Sequence, residues 1–466
     1  MADEEEFRKK PWGWVAAVII VFIVGFSAGY FPFSHSTGNT NKTVDVQFYS
    51  SLATSEAAFI NNTLIPQFEQ QHPGTHVTLV NVGSGDTSKD VLALEKAGNV
   101  GPVVVGQDNL EIGQLIYSSS GNVMMNLTNE SSKMMPSTII PAAQSMVNYE
   151  KKVFGGVYFF PWRANIPLTF YNKTTFSNAG ITPPNNNTAL LKDLNVLKAK
   201  YPNVNPLMIQ GGGINGHYSS TATELYQMMV QYGGNPLYAN DTGDVHAFQF
   251  LYNLTPYLTQ NYVNGYWGSY HGLAVGNYSM LDYQWPYIYS TLTSGGSSGY
   301  SMTNQTLGVY AGPNGTVNGQ HLLGGDVLYI PQGASDTPQL ESFITFMLGA
   351  QAQREYMLNQ SWPAINQAAY VDLPASQSAV FSAEAQAINN GVFLRNPTPW
   401  ITEWNTIIIQ KAYDPLIVKG QGNTIANITA DLAAAHSAMY TYIQQNYGQA
   451  NATLYNNDAN YAPISV

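Results

Sequence analysis

Cysteine is absent from the 466 residues, which excludes disulfides, thiolate nucleophiles and cysteine-ligated zinc without assigning a compartment. Charge is scarce as well. Asp, Glu, Lys and Arg make up 10% of the chain, against roughly 25% in an ordinary soluble domain, so Asn, Gln, Ser, Thr and Tyr must carry the polar surface. Basic residues are scarcest: 18 Lys and Arg stand against 29 Asp and Glu, a net charge of −11. No basic patch is present to displace the counterions of a nucleic acid, which excludes that partner. Beyond Arg8 the arginines are Arg163, Arg354 and Arg395, too few for an oxyanion clamp. A low-charge, Lys-poor exterior suits an acidic medium, where protonated carboxylates would leave few positive charges to repel one another.

Signatures of catalysis are also missing. The eight His residues form no HExxH, and His72 and His76 are separated by Pro73-Gly74, which breaks any helix that would align them on a metal. The glycine-rich stretches 82–86 and Gly211-Gly212-Gly213 lack the Lys-Ser/Thr of a phosphate loop, and no G-x-S-x-G elbow occurs. The reading is a non-enzyme without metal or cofactor. A surface glycan hydrolase stays open, because its paired carboxylates are set by three-dimensional distance.

What is present begins with Pro11–Phe33, 23 residues without a charge, preceded by Arg8-Lys9-Lys10. About 20 apolar helical residues span a ~30 Å hydrocarbon core. The basic trio places the N-terminal side inside and the rest outside, with Trp12, Trp14 and Tyr30 as interfacial aromatics. A single-pass cell-membrane protein with an extracellular body is therefore expected. Asn-x-Ser/Thr sequons agree with that placement; they occur at Asn41, Asn61, Asn126, Asn129, Asn172, Asn186, Asn240, Asn253, Asn277, Asn304, Asn314, Asn359, Asn427 and Asn451.

Beyond a Gly/Ser/Thr/Asn tether at 34–43, the pattern predicts strands at 44–50, 76–82 and 103–105 with helices at 56–71 and 90–97 between them. Alternating strands and helices are the grammar of a parallel sheet. A second block reads as strands at 157–171, 207–210, 274–281 and 322–330, with helices at 188–200, 220–232, 245–258, 337–351 and 353–359 and a mostly helical tail from 400 to 447. Aromatics gather in loop-like contexts, at Trp162, Trp267, Tyr270, Tyr283, Trp285, Trp362, Trp400 and Trp404. Flat rings stack on the weakly apolar face of a pyranose while amides and carboxylates take its hydroxyls.

The order of motifs resembles the extracellular solute-binding proteins of carbohydrate ABC importers, the group that includes maltose-binding protein. VQFYSS at 46–51 is followed by Phe68-Glu69 and His72-Pro73-Gly74, similar to "F-E-x-x-x-P-G-x-x-V", and by VVVGQD at 103–108. GGVYFFPWRANIPLTFYNK at 155–173 resembles "G-x-x-Y-x-x-P … Y-N-K", and Phe176 with Ala179-Gly180-Ile181 resembles "F-x-x-A-G-I". Gly276–Pro286, LGGDVLYIPQG at 323–333 and PAINQAAY at 363–370 continue the series, so the likeness covers about 44–445. Gln284 stands where the family has a small residue, and the lipid-bearing Cys is missing, its place taken by the predicted anchor of an archaeal-type member.

The resemblance implies an α/β fold of the periplasmic-binding-protein type, two lobes with a hinge and an interlobe cleft behind one N-terminal transmembrane helix. The implied layout is 1–10 cytoplasmic, 11–33 anchor, 34–43 linker, 44–155 with about 322–358 as the first lobe, 156–321 with about 359–450 as the second, and 451–466 as a tail. It also implies a substrate-binding subunit that delivers a mono- or oligosaccharide to an ABC permease. Ligand contacts carried over by position are Ser50, Ser51, Gln107, Asp108, Trp162, Arg163, Asn165, Tyr283, Trp285, Asp326, Trp400 and Trp404. The same fold also serves receptors for anions, metals or peptides, so a non-sugar solute remains an alternative.

Overall fold

The computed structural model describes residues 43–82, 87–98, 100–118, 121–266, 270–294 and 301–465. The expected anchor, its cytoplasmic flank and Asn41 lie outside these residues, as does Trp267. Among the described residues no helix is long and apolar enough to cross a membrane. The strands are β1 Val44–Ser50, β2 Thr75–Asn81, β3 Val103–Asp108, β4 Phe160–Pro161, β5 Leu168–Asn172, β6 Leu207–Met208, β7 Met280–Gln284, β8 Leu307–Tyr310, β9 His321–Leu322, β10 Asp326–Tyr329, β11 Val392–Leu394 and β12 Ile464–Ser465.

Two α/β lobes result. The first is built on a sheet in the order β2-β1-β3-β10-β4, with β1, β2 and β3 parallel and β10 antiparallel to both neighbours. Alternation along β1 sends Val46, Phe48 and Ser50 inward, whereas the central β3 is apolar through Val103-Val104-Val105 and buried on both faces. The helix Pro338–Leu348 covers the sheet and sets Phe343 edge-on to Phe48 and Phe68, with ring centroids 5.5 and 5.1 Å apart. The second lobe has the sheet order β6-β7-β5-β8. Its central helix, Tyr218–Gln231, is buried on nearly every side. A small sheet, β12-β11-β9, ties the C-terminus to the second lobe.

Two predicted strands are each broken in two, for one reason. The stretch 157–171 gives β4 in the first sheet and β5 in the second, and 322–330 gives β9 and β10. Residues 162–167 and 323–325 between them are the crossings from lobe to lobe. The crossings run side by side: Asn165 and Gly324 exchange backbone hydrogen bonds of 3.2 and 2.8 Å, and Trp162 N donates to Asp326 O at 2.8 Å. Gly325 has φ +114, and a Cβ there would lie 2.1 Å from the carbonyl oxygen of Arg163, so no larger residue fits between the crossings. The predicted strand at 274–281 is also corrected. Residues 271–275 form a helical turn closed by Gly276 at φ +80, and the strand begins at Met280.

Several acids are buried without cationic partners. Glu150 accepts the backbone N–H groups of Tyr158 and Phe159 at 2.9 and 3.2 Å. Glu384 is buried with both carboxylate oxygens unpartnered, and Asp244 has Oδ1 unpartnered. Burial pushes all three carboxyls well above the ordinary carboxylate range, against backbone N–H groups that lower Glu150 and Asp244. The folded chain therefore holds protons that the unfolded chain releases above about pH 4. That stability is fully present below the unfolded-state pKa and is lost as pH rises through the raised folded values. The melting temperature should thus rise as pH falls from 7 toward 5. Glu384→Gln should flatten part of that slope. A melting temperature that falls over the same range would contradict the assignment.

Candidate functional site

The strand ends define a seam between the lobes. On the first sheet Asp108, the last residue of β3, lies opposite Asp326, the first of β10. On the second, Gln284 at the end of β7 lies opposite Leu168, where β5 begins after the crossing. Open α/β sheets bind ligands outside such strand ends.

Arg163, on the first crossing, is buried in the first lobe among acids and aromatics. Its Nη1 donates to Glu56 Oε1 and to the Tyr356 hydroxyl, both at 2.6 Å, and Nη2 to Asp326 Oδ2 at 2.5 Å. Tyr356 and the Trp362 indole N–H donate to the same Glu56 oxygen at 2.7 and 2.5 Å. The guanidinium carbon also lies 4.5 Å from the Trp362 ring centroid. Burial would raise the Glu56 carboxyl, but Arg163 and these donors outweigh it and hold the group low. Burial raises Asp326 to about 6, with Asp108 and Glu56 adding to the effect and Arg163 opposing it.

Some buried polar atoms of the residues around the crossings have no protein partner. They are Arg163 Nε, Asn165 Oδ1, both amide atoms of Gln284 and Ser361 Oγ, each buried. Leaving such an atom unpaired costs on the order of 1–3 kcal/mol. Tyr283 beside them has φ +52, a backbone conformation that costs energy in a non-glycine residue. Its ring meets Trp285 edge-on at 5.9 Å, and the Trp285 ring lies 3.4 Å from where a Cβ on Gly324 would be.

Aromatic rings extend the seam to one side. Tyr287 packs on Trp362 with centroids 5.1 Å apart, which joins the lobes. Burial raises the Tyr287 hydroxyl, with Tyr270, Glu56 and Tyr266 adding to the shift. Tyr266 is 42% exposed and stacks on His217 at 4.3 Å with 8° between the planes. This pair lines a pocket of about 330 Å³ whose wall includes Ser219, Thr402, Asn405 and Thr406. Thr402 Oγ1 accepts from Gln114 Nε2 of the first lobe at 2.5 Å. Arg395 is a second bridge between the lobes: Nη1 donates to Thr223 and Nη2 to Asn109, both at 3.3 Å, and Nη2 lies 3.6 Å from Asp108.

Of the residues expected at the site, Arg163, Asn165, Tyr283, Trp285 and Asp326 gather at the seam, with Asp108 exposed at its rim. Ser51 is half-buried, next to Leu52, whose N–H donates to Asn81. Five expectations are corrected. Ser50 is fully buried, its hydroxyl donating to Gly106 O at 3.0 Å. Trp162 lies inside the first lobe between Phe48 and Tyr356. Trp400 packs edge-on against Tyr455 and Tyr461, and Trp404 is buried against Tyr226 with its indole N–H on Pro236 O at 2.9 Å. None of these three rings has a face to offer a ligand. Gln107 is also buried, bound to the Tyr329 hydroxyl at 2.6 Å and to Glu111 at 2.5 Å. Tyr287, Arg395 and the Thr402-Asn405-Thr406 face went unread. The last has a visible signal, since positions i, i+3 and i+4 share one side of a helix. Among the described residues no group of three or more His, Asp or Glu could hold a metal.

No curated protein matches the sequence. The family described as bacterial extracellular solute-binding protein matches residues 50–354. Solved structures share the fold. Maltose-bound MalE3 of T. maritima is 17% identical, covering 85% of this chain and 100% of its own with a TM-score of 0.67. The GacH receptor of Streptomyces glaucescens, solved unliganded and with acarbose, is 17% identical over 86% and 99% with a TM-score of 0.68. The sugar-binding MalE of Xanthomonas citri is 15% identical over 86% and 100%, also with a TM-score of 0.68. With more than half its length matched by the family and its two lobes shaped as in these structures, the chain belongs to the bacterial extracellular solute-binding proteins.

Proposed function

We propose that the chain is the extracytoplasmic substrate-binding subunit of an ABC importer, taking a sugar into the seam between its lobes and presenting it to a membrane permease. The observation that carries this reading is the set of buried, unpartnered polar atoms at Arg163, Asn165, Gln284 and Ser361, next to Trp285, Tyr287 and Trp362. Hydroxyls would pair the orphaned atoms while the rings take the apolar face of a pyranose. Neighbouring structures hold maltose and acarbose, which is consistent with this chemistry. The oxyanion alternative is disfavoured because both Nη atoms of Arg163 and of Arg395 already donate to protein acceptors. The two lobes open and close about the crossings at 162–167 and 323–325, and the closed form docks on the permease.

Residues 11–33 hold this receptor at the cell surface in our reading, with the body outside. Exposure of the sequons supports it: of the 13 described sequon asparagines 10 are exposed and none is buried.

A thermal-shift screen of mono- and oligosaccharides on the full chain in a non-glycosidic detergent should find a stabilising sugar, since binding adds RT ln(1 + [L]/Kd). No shift with any sugar, but a shift with an anion or peptide, would overturn the sugar reading. By calorimetry Trp285→Ala and Tyr287→Ala should each weaken that sugar on the order of tenfold, about 1.4 kcal/mol, with folding retained. Unchanged affinity would remove that ring from the site. Alkaline carbonate should leave the chain in washed membranes, and release by carbonate would contradict the anchor.

A further inference from the structure

β6 and β7 are parallel neighbours, with Met208 opposite Leu281, so their C-terminal ends lie side by side at one edge of the second sheet, about 4.8 Å apart. β7 ends in Tyr283-Gln284, with Trp285 next. β6 leads into Gln210, whose Nε2 donates to Tyr283 O at 2.9 Å. The chain then passes Gly212, whose N–H donates to Gly265 O at 2.7 Å and so brings Tyr266 beside the loop that follows. The pocket of about 330 Å³ at the Tyr266–His217 stack is therefore built on the chain leaving the same sheet edge as Trp285. Its other wall is the helical face of Thr402, Asn405 and Thr406. Asn405 is 4% exposed, and its amide makes no hydrogen bond to any described residue. Ser219 also lines the pocket, half-buried and with its hydroxyl unpaired among the described residues.

We infer, resting on the sugar reading above, that this pocket takes a second ring of the solute and that the solute is a neutral oligosaccharide of at least two rings. Among the described residues no Asp, Glu, Lys or Arg lines the pocket, so an acidic or basic sugar finds no counter-charge there. An amide offers two donors and an acceptor to the hydroxyls of a sugar, and the flat Tyr266–His217 pair offers a platform for its weakly apolar face. The volume is at the low end of the ~300–1,000 Å³ of small-ligand pockets, room for one ring rather than several. One ring thus stacks beside Trp285, and the next lies on the Tyr266–His217 pair with its hydroxyls on Asn405 and Ser219. Thr402 on the same wall accepts from Gln114 of the first lobe at 2.5 Å, so the second ring lies against a contact between the lobes. A monosaccharide fills only one of the two places.

Calorimetry on the full chain in a non-glycosidic detergent compares one, two and three rings in three series: glucose, maltose and maltotriose; glucose, cellobiose and cellotriose; mannose, mannobiose and mannotriose. One series should bind at least tenfold more tightly with two or three rings than with one. Tyr266→Ala and Asn405→Ala should each cut that ratio of long to single-ring affinity several-fold, with an unchanged circular dichroism spectrum. Should Asn405→Ala fail to fold, Tyr266→Ala still decides, because Tyr266 is 42% exposed. A monosaccharide bound as tightly as its longer homologues, or a ratio unchanged in folded Tyr266→Ala, would overturn the second-ring site and leave the sugar receptor standing. Binding of no sugar in any series would overturn both together.

Discussion

Arg163 carries a guanidinium into the interior of the first lobe at the point where the chain leaves it, and the surrounding structure is arranged to hold that charge. Glu56 arrives from the helical run after β1, Asp326 from the start of β10, Tyr356 from the helix Ala350–Gln360 and Trp362 from just beyond that helix. Residues up to 306 positions apart in the chain meet at one carboxylate oxygen. Removing one member of such a cluster leaves a buried charge uncompensated, at a cost of about 3–5 kcal/mol. The cluster therefore fixes where the first crossing runs, and through Asn165 and Gly324 where the second one runs as well.

The scarcity of charge has a structural counterpart at the seam. Arg163, Asp326, Glu56 and Arg395 are occupied with one another or with neighbouring hydroxyls and amides. Apart from Arg163 Nε, the unpartnered buried atoms around the crossings are amides and a hydroxyl, which in our proposal would suit a neutral, hydroxyl-rich solute. The raised carboxyls of Glu150, Asp244 and Glu384 each favour the folded state more as the pH falls.

The parallel core was legible from the sequence because β1, β2 and β3 alternate or run apolar between helices of clear period. The crossings were not, because 157–171 and 322–330 keep a strand-like pattern while passing from one sheet to the other, and only pairing reveals the break. Family position pointed to Arg163, Asn165 and Trp285, which the fold brings close to the crossings. It misplaced Trp162, Trp400 and Trp404, since a Trp beside Pro or Gly reads alike whether its ring faces a cleft or a core. At 401–408 the helix turns Trp404 inward and Thr402 and Asn405 toward the pocket, a one-residue matter of phase that no motif records. The φ +52 at Tyr283 carries no sequence signal at all.

The central claim is that a sugar closes the two lobes on each other across the Arg163 crossing. The absence of cysteine makes a clean distance measurement available, because Ser132→Cys on the first lobe and Ser177→Cys on the second are both exposed and would carry the only spin labels. Electron–electron double resonance on the doubly labelled full chain should show the distance distribution shift and narrow when a binding sugar is added to saturation. An unchanged distribution at saturating sugar would contradict the account.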